Sequence, residues 1–337
     1  MDKIVSVGIT LGDPNGIGPE IIVKSLSRKS ILDKIKPIIY CPEDILLYYI
    51  QKFNLNLSIN VITSPKQAIN NVLNLIDIKG NNFKLCPGKI TNEAGNIAFK
   101  SLKAASDDLF NSKTDVIVTA PINKDNIQNE DFNFMGHTEY FTSRCKLEES
   151  LMLMVHNNFR VGLVTNHLPL NIVSKSISND LIIKKLTLLK QVLEKDFNIN
   201  NPKLALLGLN PHSGDNGLIG FEEKEIIIPA IKYALNKNIN ISGPFPADGF
   251  FANNNHINYD GVLAMYHDQG LIPFKVMSRN EGVNFTAGLP IIRTSPDHGT
   301  GYDIAGKGVA NSTSFENAII MAKDIFNSRK NRFNQNR

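Results

Sequence analysis

At 337 residues, with 42% hydrophobic and 20% charged residues, the chain has an ordinary globular balance. That excludes intrinsic disorder, and the length points to about two domains. Thirty-six basic against 32 acidic residues leave a net charge of +4, too slight and too dispersed for a nucleic-acid footprint.

The opening stretch 4–10 is apolar too briefly for a signal peptide and runs into a Gly/Pro turn, so it reads as a first strand. Further strands are expected at 37–40, 115–119, 152–155, 161–165, 204–209 and 262–265. Most are continuous apolar runs, the pattern of strands buried on both faces of a mostly parallel sheet. Helix-like stretches at 94–110 and 180–196 lie between them, the second with Asn179-Asp180 as its cap. The alternation predicts an α/β fold with crossover helices. Asn-rich patches at 253–255 and 327–337 read as loop and tail. No linker-like tract appears, so two lobes sharing an interface are expected. No apolar run reaches the ~18 residues of a membrane span. The cysteines Cys41, Cys86 and Cys145 form no CxxC pair and read as reduced thiols of a cytoplasmic protein.

The first strand enters Gly12-Asp-Pro-Asn-Gly16-Ile-Gly18-Pro-Glu20. A dinucleotide fingerprint would need a third glycine where Ile21 stands, so there is no Rossmann signature. The segment is either a tight turn or a site loop at a strand end.

Three histidines follow apolar runs: Val161-Gly-Leu-Val-Thr-Asn-His167, Leu204-Ala-Leu-Leu-Gly-Leu-Asn-Pro-His212 and Gly261-Val-Leu-Ala-Met-Tyr-His267. Ligands of open α/β sheets collect beyond the carboxyl ends of strands, so three imidazoles delivered there could converge on one divalent cation. The alternative is three separate, hydrogen-bonded structural histidines. His156 also ends an apolar run, but the turn at Asn157-Asn158 puts it at the opposite end of a hairpin, and His256 reads as a surface-loop residue. Asp268 and Asp248 could orient a ligand or move a proton, or simply cap turns. Lys275, Asn284 and Arg293 suit a phosphate or carboxylate, or plain surface solvation. Gly136-His137-Thr138-Glu139 is a further polar cluster. The glycine-rich stretch from Asp297 to Gly308 could present backbone N–H groups to a pyrophosphate, or be a long turn.

Taken together, Gly12–Glu20, Gly136–Glu139, Thr165-Asn-His-Leu-Pro169, Asn210-Pro-His-Ser-Gly-Asp215, Pro246-Ala-Asp248, Ala264-Met-Tyr-His-Asp-Gln-Gly270 and Asp297-His-Gly-Thr300 resemble the 4-hydroxythreonine-4-phosphate dehydrogenase family of vitamin B6 biosynthesis. The likeness runs in order from near the first residue to about Ala318. It implies an isocitrate/isopropylmalate-dehydrogenase-like two-lobed fold, with one lobe at 1–130 plus 285–337 and a central lobe at 131–284. It also implies a homodimer with shared sites. His167, His212 and His267 are the implied metal ligands, the last from the partner subunit. His137, Thr138, Lys275, Asn284 and Arg293 are the implied substrate contacts. Asp297, Gly299, Thr300 and Gly306 lie in the stretch implied to hold NAD or NADP. One divalent metal (Zn, Co or Mg) per site is expected, with Asp248, Asp268 or Lys275 as the base. Gly249, Gly301-Tyr302 and the placement of Pro273 depart from the family's usual pattern. Rival readings are a sister dehydrogenase for another four-carbon acid phosphate such as threonate 4-phosphate, a metal aldolase or hydrolase, and a non-catalytic phosphate binder. No membrane or nucleic-acid partner is expected.

Overall fold

A computed structural model describes residues 4–79 and 83–335. In chain order the strands are β1 Val5–Thr10, β2 Ile35–Cys41, β3 Ile59–Ile62, β4 Leu73–Asp77, β5 Val116–Thr119, β6 Leu151–His156, β7 Phe159–Leu163, β8 Leu204–Leu207, β9 Ile241–Phe245, β10 Gly261–Ala264, β11 Val283–Ala287 and β12 Arg293–Pro296. The chain divides into two compact units: Met1–Tyr140 with Ile291–Asn327, and Phe141–Pro290 with Ser328–Arg337. Both are α/β. Every strand expected from an apolar run is present to within two or three residues. The shorter, more polar β3, β4, β9, β11 and β12 carry no such signal.

In the first unit the strand order is β3-β4-β2-β1-β5-β12, and every pair is parallel. Val7, Ile9, Ile38 and Ile39 are fully buried, as strands covered on both faces require. The loop from β1 into the helix Gly18–Leu26 is tied down by the buried carboxylate of Asp13. Its Oδ1 accepts from the Asn15 N–H at 2.9 Å, and its Oδ2 accepts from Asn126 Nδ2 and the Tyr302 hydroxyl, both at 2.8 Å. Ile17 N donates to Thr300 O at 2.8 Å, and a Cβ on Gly16 would lie 2.7 Å from that oxygen. Close approach to 300–302 therefore requires glycine at 16. One helical turn on, buried Glu20 accepts from Lys24 Nζ at 2.8 Å and Ala310 N at 2.9 Å. Lys24 also donates to the carbonyls of Gly308 and Ala310. The Gly/Pro loop is thus the tight-turn reading with a purpose: it sets the path of residues 300–310.

In the second unit the order is β11-β6-β7-β10-β8-β9. The pairs β11–β6 and β6–β7 are antiparallel, and the remainder are parallel. The β6–β7 hairpin turns at Asn157-Asn158, with His156 opposite Phe159, so His156 is at the far end of β7 from His167. Leu163, Ala205, Leu207, Val262, Ala264, Leu271 and Phe274 belong to one buried cluster that seats the helix His267–Ser278 on the sheet. A Cβ on Gly270 would lie 2.8 Å from Leu163 and 2.9 Å from Val161, which is why a glycine stands there.

Three local expectations are corrected. The helix Asn179–Phe197 is capped by Ser178, whose hydroxyl accepts from Leu181 N at 3.2 Å; Asn179 is already helical. His256 is not a free surface side chain, because its half-buried ring packs 4.7 Å from the Phe159 ring. The tail from 327 is helical to Gln335, since Ser328 donates to Lys195 O and Arg329 pairs with buried Asp196 at 2.7 Å. None of the three cysteines is in a disulfide, and no helix among the described residues is long and apolar enough to cross a membrane.

Replacing Asp13 by Asn turns an amide N–H₂ toward donors that need an acceptor. Asp13→Asn is expected to cost about 1.5–3 kcal/mol of stability, read as a lowered urea midpoint with unchanged secondary structure.

Candidate functional site

The second unit carries the three histidines of the sequence motifs. Strands β7, β10 and β8 are adjacent and parallel, so their carboxyl ends lie on one sheet edge. His167, His267 and His212 follow those ends by a few residues each. Thr165 donates its hydroxyl to Met265 O at 2.8 Å, joining the exits of β7 and β10. Gln269 joins those of β10 and β8: its Oε1 accepts from Met265 N at 2.7 Å and its Nε2 donates to Gly208 O at 2.6 Å.

The rings of His167 and His267 lie 5.8 Å apart, tilted by 42°. His212 is exposed, in a run of left-handed residues from His212 to Asn216. Among the described residues no three His, Cys, Asp or Glu side chains lie together closely enough to hold a metal ion. The structure of one chain therefore pairs two of the imidazoles and leaves the third on the same edge. Imidazole nitrogens are the donor type that suits a borderline divalent cation.

The three candidate bases are all solvent-exposed. Asp248 lies in the first turn of the helix Ala247–Ala252, beyond the carboxyl end of β9 on this same edge. Asp268 adjoins His267, with its Oδ1 3.4 Å from the ring Nδ1. Lys275 sits eight residues into the helix that His267 begins, about 12 Å along its axis. Asn284 of β11 pairs with Met154, which pairs with Val161, so it is set back from the histidine edge. Its Oδ1 is buried with no hydrogen-bond partner. A Cβ on Gly249 would meet nothing within 4 Å, so packing does not demand a glycine there.

The first unit holds the remaining groups. Arg293 begins β12, pairs in register with Ile117, and is buried. It donates from Nη2 and Nε to the Thr119 hydroxyl at 2.7 and 3.1 Å. Burial works against its charge and the Glu139 carboxylate supports it. His137 and Thr138 open the helix His137–Arg144. Burial, then the charges of Arg293 and Lys124, hold the His137 imidazole well below the usual histidine range, so it is neutral. Its Nε2 is buried without a hydrogen-bond partner. The result is a polar cluster of two cations, the Glu139 carboxylate, a neutral imidazole and the Thr138 hydroxyl, in which positive charge is in excess by one, a setting that suits an anion. Lys124 was not foreseen from sequence; its only signal is its position shortly after the carboxyl end of β5.

The Asp297 backbone N–H donates to Ser314 Oγ at 3.0 Å. Gly299 is exposed, and a Cβ there would meet nothing within 4 Å. Gly301, Gly306 and Gly308 adopt left-handed φ of 53°, 72° and 77°. The Gly301-Tyr302 departure has a structural role, since the Tyr302 hydroxyl donates to Asp13. An open glycine beside a backbone fixed from below is a surface that a dinucleotide can approach closely.

Residues 33–322 match the family model described as pyridoxal phosphate biosynthetic protein PdxA. A 4-hydroxythreonine-4-phosphate dehydrogenase from Bacteroides thetaiotaomicron is 45% identical, over 97% of this chain and 90% of that one. A relative from Oceanobacillus iheyensis, provisionally named for D-threonate 4-phosphate, is 37% identical, over 96% of this chain and 99% of that one. The crystal structure of a 4-hydroxythreonine-4-phosphate dehydrogenase from Klebsiella pneumoniae superposes with a TM-score of 0.84 at 33% identity, covering 97% of this chain and 98% of that one.

The depressed His137 pKa has a signed consequence for stability. As pH falls below about 6.5 the unfolded chain takes up this proton before the folded one, so stability is lost with acidification and constant above that range. His256, lowered by burial, adds in the same direction. Urea unfolding between about pH 7.5 and 5.5 should therefore show a decline approaching about 1.4 kcal/mol per pH unit from His137, and His137→Asn should flatten it.

Proposed function

Because the chain belongs to the PdxA family, we propose that it oxidises the C3 hydroxyl of 4-phosphonooxy-L-threonine to 2-amino-3-oxo-4-phosphonooxybutanoate, using NAD or NADP and a divalent metal. The observation that carries this reading is the delivery of His167, His267 and His212 to one edge by three adjacent parallel strands. His167, His212 and His267 are the proposed metal ligands, and the segment of Asp297, Gly299, Thr300 and Gly306 the proposed dinucleotide contact. Bound metal supplies a Lewis acid for the substrate oxygen, and bound dinucleotide the two-electron acceptor.

The protein's own groups bind, orient and move the proton. Arg293 offers a bidentate fork and Lys124 a point charge to an anionic end of the substrate. Neutral His137 and Thr138 add directional hydrogen bonds, and the Glu139 carboxylate offsets one of the two positive charges. Lys275 and Asn284 are the second unit's proposed substrate contacts. Asp248, Asp268 or Lys275 takes the C3 hydroxyl proton; all three are open to solvent, so the proton leaves readily. The product is a β-keto acid, which loses CO₂ to give 3-amino-1-hydroxyacetone phosphate.

A second copy of the chain is proposed to complete the site. In support, Leu170, Leu218, Phe221, Ile272 and Val276 are exposed on segments that follow the histidine-bearing strand ends. Exposed apolar side chains of this size suit an association surface. A cytoplasmic enzyme fits three free thiols and biosynthetic relatives.

The alternative substrate, threonate 4-phosphate, is kept by the Oceanobacillus relative. NADH formation should be followed with 4-phosphonooxy-L-threonine and with 4-phosphothreonate, each with and without chelator. Turnover of the amino acid alone, abolished by chelator and restored by metal, is expected. Turnover of the threonate alone moves the enzyme to the sister reaction. Arg293→Lys should raise KM for the phosphorylated substrate about 10–100-fold while leaving that for the dinucleotide nearly unchanged. Equal losses for both would remove Arg293 from the substrate site.

A further inference from the structure

We infer that Glu223 is a positioning residue that presets the loop carrying His212 for metal binding; this rests on His212 being a ligand. His212 lies in five successive residues with left-handed φ: 52°, 50°, 76°, 41° and 56° from His212 to Asn216. Four of the five are not glycine. Such residues each cost free energy, and the conformation persists only where the surroundings over-determine it.

Glu223 supplies that determination. It is buried, and its Oε1 accepts from the N–H groups of Leu209 at 2.8 Å and Asn210 at 2.7 Å. Its Oε2 accepts from Asn210 Nδ2 at 2.9 Å. The carboxylate also lies against both flanks of the loop. A Cβ on Gly208 would come within 3.2 Å of Oε1, and one on Gly214 within 2.6 Å of Oε2. Gly214 is thus explained by this carboxylate, whereas at Gly208 the Ser213 hydroxyl lies closer still, at 2.8 Å. Among the described residues Glu223 makes no ion pair; its charge is held by N–H donors alone. A buried carboxylate is costly unless such charge-assisted bonds compensate it. Glu223 opens a short π-helical turn, Glu223–Ile227, which aims its side chain back under the loop. Neighbouring Glu222 extends the device: its carboxylate accepts from Ser174 Oγ and Asn210 Nδ2, both at 2.8 Å, linking this loop to the helix Leu170–Ser176 that follows His167.

Gln at 223 keeps the shape but turns an N–H₂ toward one of these donors. The test is Co²⁺ titration of the dialysed full-length protein, followed by its d–d absorption, for the native chain, Glu223→Gln, His212→Ala and the double variant. Glu223→Gln is expected to weaken Co²⁺ binding about 10–100-fold, as loss of a ligand-orienting partner does. His212→Ala should weaken it at least as much, and the double variant should bind no more weakly than His212→Ala. Native affinity in Glu223→Gln beside a weakened His212→Ala overturns the positioning role and leaves the ligand assignment standing. Losses that multiply in the double variant also overturn it, since Glu223 would then act independently of His212. Native affinity in His212→Ala overturns the ligand assignment itself. Should Glu223→Gln fail to fold by circular dichroism, Asn210→Ala removes one of the donors to Glu223, and the same cycle then expects a smaller weakening, with native affinity overturning the role.

Discussion

A carboxylate taken out of water must find N–H or O–H donors, and the loops of this protein are shaped by that requirement. Asp13 gathers Asn15, Asn126 and Tyr302 around one buried side chain. Glu20 gathers Lys24 and the backbone near Ala310. Glu223 gathers Leu209 and Asn210. In each case the donors come from segments far apart in sequence or from a strained turn. Losing the acceptor would leave several donors unsatisfied at once, which makes each conformation specific as well as stable. The Gly-rich segment after Asp297 and the loop bearing His212 take their paths from these acids.

The two units hold opposite electrostatic settings. Around Arg293 the groups are buried, so charge is expensive and the His137 imidazole stays neutral beside two cations. Around His167 and His267 the rings are half exposed. Fixed positive charge suits an anion that must be oriented.

Much of this was legible in the residues. Continuous apolar runs marked the strands buried on both faces, and an interrupted glycine pattern excluded a Rossmann turn. The Asn157-Asn158 turn correctly separated His156 from His167, because a hairpin reverses direction whatever lies around it. Less was legible where a contact is non-local. Ser178 rather than Asn179 caps its helix because backbone geometry at the junction chose among adjacent capping residues. The tail after 327 is helical because Arg329 finds Asp196, 133 positions away.

By itself the sequence determined the alternation of strands and helices, the family, and the residue types offered at each strand end, since periodicity and turn chemistry are local properties. Tertiary structure alone decided which strands are neighbours and hence that β7, β10 and β8 send three histidines to one edge. It also placed Lys124 near His137 and turned Glu223 beneath His212. Those outcomes depend on parallel pairing and on burial, which act between residues that the chain keeps far apart and which no stretch of sequence encodes on its own.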